Sequence, residues 1–308
     1  MFNCHAVKTL LLLGFTILPF SYAAFSQDEK EKRTSVDSLE AKMILYLIDS
    51  TNKDIFNYAP LSPKFKSDSA SAVNLLPKYP LFPNFSGKAL MTPTAFVSRR
   101  TFVYAFIGGT YPQVYTHSPD AIGGVGIGFG NALKFISIVS GINVNDVSKL
   151  NNISFSLKIS RYLSKGTSVS LGGVHLFRNS AKSDFGESYF VVVSHAVQSI
   201  PSNAKGYSRL FYSIGAGNGR FFLKSQSDQL NGRGSYGSIV FGNLSYEVIR
   251  NLNVNLEWDG LNLDFSAGWR PLPNLPSIMV GVADITRFSG DKLRLIGCIG
   301  YAIPVFNK

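Results

Sequence analysis

The run Ile153-Ser154-Phe155-Ser156-Leu157-Lys158-Ile159-Ser160 alternates large apolar and polar residues without an error. That is the pattern of a strand with one apolar and one polar face. Leu252 to Asp259 repeats it. After Gly260 the pattern returns, with Leu261, Leu263, Phe265, Ala267 and Trp269 on one face and Asn262, Asp264, Ser266 and Arg270 on the other. Asp259-Gly260 between these two runs is a tight hairpin signal. Further strand-like runs at 101–111, 121–130, 133–142, 167–177, 187–197, 208–216, 236–248, 276–285 and 292–305 bring the count to about twelve.

The connections predict how these strands associate. Short turns at 164–166 and 249–251 tend to alternate with longer polar loops at 143–151, 178–186 and 217–235. The Asp259-Gly260 hairpin and the longer 198–207 segment break the alternation. Short turns on one rim, long loops on the other and strands of about ten residues predict an all-β fold, a transmembrane antiparallel barrel of about twelve strands. The rival is a soluble β-sandwich, whose solvent face would carry more charge than the Asn- and Ser-rich face here. Tyr104, Tyr111, Tyr115, Tyr162, Tyr212, Tyr246, Trp258, Trp269 and Tyr301 lie near strand ends, as interfacial aromatic girdles require. Gly123-Gly124-Val125-Gly126-Ile127-Gly128-Phe129-Gly130 lacks the Lys-Ser/Thr ending of a phosphate loop. Glycine at every second position instead bares one face of a strand for close approach by a neighbour.

Upstream of the barrel the pattern changes. Lys8 precedes an apolar stretch from Thr9 to Phe20, too short to span a membrane as a helix, with small residues at Ser21 and Ala23. Residues 1–23 read as a signal peptide. Residues 24–90 read as a periplasmic segment. In it Val36, Leu39, Met43, Ile44, Leu47 and Ile48 recur at three- and four-residue intervals and predict an amphipathic helix over 34–52. That helix is expected to plug the lumen, to dock a partner, or to pack on its own protein. Prolines 60, 63, 77, 80 and 83 make 58–90 a linker or strap. The barrel is expected over 91–308.

Composition narrows the function classes. Only 16% of residues are charged, against about 25% in an average soluble domain. The formal charge is +11, with 20 basic against 11 acidic residues in 91–308, yet no long basic run points to nucleic acid. Removal of the leader leaves Cys298 alone, which excludes an intramolecular disulfide. A barrel hydrolase would need a base beside a nucleophile. Ser194 and His195 are adjacent on a strand and so point to opposite faces. No catalytic residue, metal ligand or cofactor site is expected. If apolar groups face lipid, then Lys158, Asn253, Asn255, Glu257, Asp259, Asn262, Asp264, Arg270 and Arg294 face the lumen. There they would meet a polar or acidic solute, hydrogen-bond sugar hydroxyls, or pair with one another.

The stretch from Glu257 to Pro271, followed by Pro273-Asn274-Leu275-Pro276 and Val282-Ala283-Asp284-Ile285-Thr286, resembles the C-terminal barrel repeat of the YjbH-type outer-membrane family implicated in exopolysaccharide production. The Gly126–Gly130 and Gly215–Phe221 segments fit the same resemblance, which covers about residues 120–305. It implies a single-barrel relative that assists envelope or exopolysaccharide production or export without catalysis. The alternatives are a narrow diffusion channel and a structural envelope protein. The partners expected are outer-membrane lipid and lipopolysaccharide, the outer-membrane assembly machinery, and polysaccharide or periplasmic export components.

Overall fold

The computed structural model describes residues 80–84, 89–98, 100–115, 117–147, 151–177, 186–272 and 275–305. The expected signal peptide and 34–52 helix, with the linker as far as residue 79, lie outside the described residues.

Twelve strands form one closed antiparallel barrel: β1 Phe102–Tyr111, β2 Asp120–Gly130, β3 Ser137–Asp146, β4 Asn151–Ser164, β5 Thr167–Leu176 and β6 Ser188–Ala196, then β7 Leu210–Gly217, β8 Val240–Ile249, β9 Leu252–Trp258, β10 Leu263–Trp269, β11 Ser277–Ala283 and β12 Arg294–Pro304. Each strand pairs with the next, and β12 closes on β1 from Leu295 opposite Tyr111 to Pro304 opposite Phe102. This closure rules out the sandwich, because no sheet edge remains unpaired.

The chain enters the wall at one rim, the entry rim, which also carries the end of β12 and the connections 131–136, 165–166, 197–209, 250–251 and 270–276. The far rim lies at the ends of β1, β3, β5, β7, β9 and β11 and carries the described connections 218–239, 259–262 and 284–293. Several boundaries differ from the sequence expectation, as at 236–248, where the strand starts only at Val240, and two of the differences have a side-chain cause. The strand expected at 133–142 lies at Ser137–Asp146, because Asn131 Oδ1 accepts from the Leu133 and Lys134 N–H groups and holds 131–136 as a turn. The strand therefore runs on to Asp146, through residues expected in the 143–151 loop, and the next begins at Asn151. Asp259 Oδ1 accepts from the Leu261 and Asn262 N–H groups, so the β9–β10 connection has four residues and Leu261 is buried in it.

The faces separate by polarity. Val103, Ile107, Ile127, Phe155, Leu157, Val191, Val193, Leu256, Phe265, Val280 and Ile299 are exposed on the outer wall. Ser160, Ser168, Ser170, Ser194, Ser213, Ser245, Asn253, Asn255 and Ser266 are buried inside. Of the expected girdle, Tyr111, Tyr212, Tyr246 and Trp269 are exposed on the outer wall. Tyr104 and Tyr162 instead face inward, because they share strand parity with Phe102 and Phe106 and with Lys158 and Ser160.

The alternating glycines acquire a physical role here. Phe102 stands opposite Gly128 and Tyr104 opposite Gly126, and a Cβ at either glycine would strike the facing ring. Phe241 opposite Gly215 repeats the arrangement. Overpacking of this kind costs about 1–3 kcal/mol. Gly128→Val is accordingly expected to lower stability by about that amount in chemical unfolding from lipid vesicles, with no loss expected for Gly186→Ala, where space is open.

Candidate functional site

The lumen is occupied by the chain itself. Residues 80–84 lie at the entry rim, where Leu81 donates to Gln198 Oε1 (2.7 Å) and accepts from Gln198 Nε2 (3.0 Å). Phe82 and Pro83 pair in parallel with Tyr207 and Ser208. The Phe82 ring meets Tyr162 edge-on at 5.5 Å. Residues 89–98, Ala-Leu-Met-Thr-Pro-Thr-Ala-Phe-Val-Ser, run inside the barrel, and Ala95, Phe96, Val97 and Ser98 are almost wholly buried. The first wall strand starts only at Phe102. Residues 91–98 therefore fill the lumen rather than forming wall, and with Ala89 and Leu90 they make a strap.

Pro93 bars a regular ladder here, and a buried main chain still needs partners. Side chains of the wall supply them. Glu257, near the far-rim end of β9, accepts from the N–H groups of Leu90 (2.7 Å), Met91 (2.7 Å) and Thr92 (2.9 Å), and from Thr92 Oγ1 (3.0 Å). Asn243 Nδ2 donates to Thr92 Oγ1 at 2.9 Å, and Arg220 Nη2 to the Met91 carbonyl at 3.4 Å. Midway, Lys158 Nζ donates to the carbonyls of Thr94 (3.2 Å) and Phe96 (3.0 Å). Ala95 N–H donates to Ser194 Oγ (2.7 Å), and Ser168 Oγ donates to the Ala95 carbonyl (2.9 Å). Tyr162 OH reaches the Val97 carbonyl at 3.5 Å. The Phe96 ring packs on Phe211 and Tyr162. The strap thus descends from Glu257 toward the entry rim, held by an acceptor at its tip and a donor at its middle.

All nine residues expected to face the lumen lie on the inner side or at its mouths, each engaged by protein groups. Lys158 and Glu257 hold the strap. Asn255 Nδ2 donates to Ser266 Oγ, which donates to Glu257 Oε1 at 3.0 Å; Asn253 Nδ2 donates to Ser245 Oγ. Asp264 accepts from the Asp284 N–H (2.8 Å), and Asp284 accepts from Asn262 Nδ2 (3.0 Å) and pairs with Arg294. Burial pushes Asp259 up to about 6, against its bonds to Asn262 and Leu261 and the nearby Arg220. Arg270 belongs to the entry rim, where its Nε donates to the Leu275 carbonyl. Sequence reasoning missed the strap-holding roles of Ser168, Ser194, Tyr162, Arg220 and Asn243. The available signal was the row of serines at inward strand positions, whose small side chains leave room for a chain inside.

A lid covers the far mouth. In the 218–239 connection, α1 Gln226–Leu230 is capped by Ser225 Oγ, which accepts from the Asp228 N–H at 3.1 Å. The fully buried Asp228 carboxylate accepts from Ser289 Oγ, Gly290 N–H and Ser225 Oγ, joining this loop to the 284–293 loop. Lys224 Nζ donates to the Phe288 carbonyl at 2.7 Å. Beneath the lid, a cavity of about 50 Å³ is bounded by Met91, Arg220, Asp228, Asp259, Asp284 and Arg294, room for a few waters. Burial alone would raise the Asp228 carboxyl, but its bonds to Ser289, Tyr115, Gly290 and Ser225 outweigh it and hold the group below the usual carboxylate range. A depressed pKa contributes stability above the unfolded value, about 3.9, and that stability is lost as pH falls through the folded value. Protease nicking of 218–239 is therefore expected to increase in acid below about pH 4, and Asp228→Ala should show the same nicking already at pH 7.

Ser194 Oγ faces the lumen and donates to Ser213 Oγ at 2.7 Å, whereas His195 Nδ1 meets Thr167 Oγ1 at 2.9 Å on the other face of β6. The two do not form a dyad.

The sequence matches no family profile and no curated protein. Among solved structures, the chain is similar to outer membrane phospholipase A from Escherichia coli, at 7% identity and TM-score 0.37, over 66% of this chain and 90% of that one. It is also similar to an outer membrane channel from Pseudomonas putida F1, at 8% identity and TM-score 0.37, over 72% and 99%. The twelve-strand closure itself rests on this chain's own pairing register.

Proposed function

We propose that the protein is an outer-membrane barrel that assists envelope or exopolysaccharide production or export without catalysis, in a form closed by its own strap. The observation that carries the closed form is the seating of residues 89–98 on Glu257, Lys158, Ser168 and Ser194. The apolar outer wall supports the membrane location, since it has no counterpart in a protein surrounded by water. With the entry rim toward the periplasm, residues before 80 would meet periplasmic components and the lid would face outward. The polysaccharide role rests on the resemblance of the 257–286 segment. A strain lacking the protein is expected to carry less surface polysaccharide and to regain it with the wild-type chain; unchanged polysaccharide in that strain would overturn the role. A second reading, a narrow channel for polar solutes, is favoured by the polar inner wall and requires the strap to leave.

A further inference from the structure

The basic excess of the sequence is not spread evenly over the fold. Lys134, Arg161, Lys165 and Arg250 are exposed at the entry rim, and Arg209 is partly exposed there. Arg100 and Lys205 stand on the same rim. Among the described residues the carboxylate at this rim is Glu247, which is buried. The ion pairs among the described residues, Arg233–Asp228, Lys292–Asp291 and Arg294–Asp284, all lie at the far rim. Among the described residues, then, the far mouth carries both signs of charge and the entry mouth carries exposed cations with no exposed carboxylate.

The entry-rim cations also sit at a particular height. Lys134 precedes Phe135 (74% exposed), Arg161 and Lys165 flank Leu163 (58%), and Arg250 follows Ile249 (59%). Tyr212, Tyr246 and Trp269 are exposed on the wall at the same end. A long cationic side chain next to exposed apolar groups, at the level of an aromatic belt, keeps its stem in hydrocarbon and its charge among headgroups. A soluble acidic partner would give no reason for that interleaving.

We propose that the entry rim is a binding surface for anionic phospholipid headgroups, formed by Lys134, Arg161, Lys165, Arg209 and Arg250. This inference rests on the membrane reading above and adds a lipid preference confined to one rim. The headgroup phosphates supply counter-charges to these five side chains, and a basic side chain at an anionic surface favours binding about fivefold per residue.

The chain's two tryptophans report on the two rims separately. Trp269, 46% exposed, pairs with Leu252 just beyond Arg250 at the entry rim, and half-buried Trp258 ends β9 at the far rim. The folded protein is reconstituted in vesicles containing brominated phosphatidylglycerol or brominated phosphatidylcholine, and quenching gives the relative affinity of the two lipids. With Trp258→Phe present, Trp269 is expected to report about a fivefold preference for phosphatidylglycerol, the size one basic residue supplies. With Trp269→Phe present, Trp258 should report none. Arg250→Glu should bring the Trp269 ratio to about one, Arg250→Lys should retain it, and about 1 M salt should flatten it. A ratio of one at Trp269 with Arg250 intact, or an equal preference at both tryptophans, would overturn the lipid surface while leaving the membrane barrel standing. Absence of quenching by either lipid would instead refute the membrane reading, and this inference with it.

Discussion

Glu257→Ala is expected to lower stability by about 3–5 kcal/mol, the sum of a few buried donors left without their acceptor. It strands three main-chain N–H groups and the Thr92 hydroxyl in a site with little water, and each buried donor left without an acceptor costs about 1–3 kcal/mol. The whole penalty need not appear, because the strap has another option: it can leave the lumen and be hydrated. Chemical unfolding from vesicles measures the loss, and raised protease sensitivity within 89–98 shows that the strap has been released. Glu257→Gln keeps one acceptor oxygen but turns an NH2 toward donors, so an intermediate loss is expected. An unchanged unfolding midpoint in Glu257→Ala would show that the strap is held elsewhere.

Lys158→Glu is expected to have the second large effect. The ammonium lies between the carbonyls of Thr94 and Phe96, and a carboxylate there would face two acceptors in a buried place. Expulsion of the strap relieves that conflict. Lys158→Met is milder, because it leaves two carbonyls without their donor but also removes a buried charge. The readout is labelling of Ala95→Cys by a charged thiol reagent, in a chain carrying Cys4→Ser and Cys298→Ser. Ala95 is fully buried, so labelling is expected to be slow with Lys158, modestly faster with Met, and on the order of a hundredfold faster with Glu, which corresponds to roughly 2.7 kcal/mol of strap opening.

Much of the barrel was legible because it is written in local alternation. Ile153 to Ser160 and Leu252 to Trp258 carry their facing in strand parity alone, which is why Lys158, Asn253, Asn255 and Glu257 were placed inside. The bare glycine face at 123–130 was legible as a close approach, although the facing rings of Phe102 and Tyr104 were not. Boundaries failed where a side chain outcompeted the ladder: Asn131 turns 131–136 back, and Asp259 gathers the next connection. Tyr104 and Tyr162 were misplaced because position near a strand end was weighed above parity. The strap was invisible for a different reason. Its contacts join residues 62 to 167 positions apart and pair main chain with side chains. Pro93 removes any periodicity that would have shown it as an element. The lumen residues were found, but their partners were not, since a polar inner face looks the same whether it meets solute or a buried peptide.

The central claim is that the barrel is closed by residues 89–98. Planar-bilayer conductance of the folded protein tests it most directly, comparing the intact chain with one in which 89–98 is replaced by a Gly-Ser segment of equal length. The account predicts silence from the intact chain and steady conductance from the replacement, with folding of both shown by a shift on unheated gels. Steady conductance from the intact, folded chain, unchanged by the replacement, would contradict it.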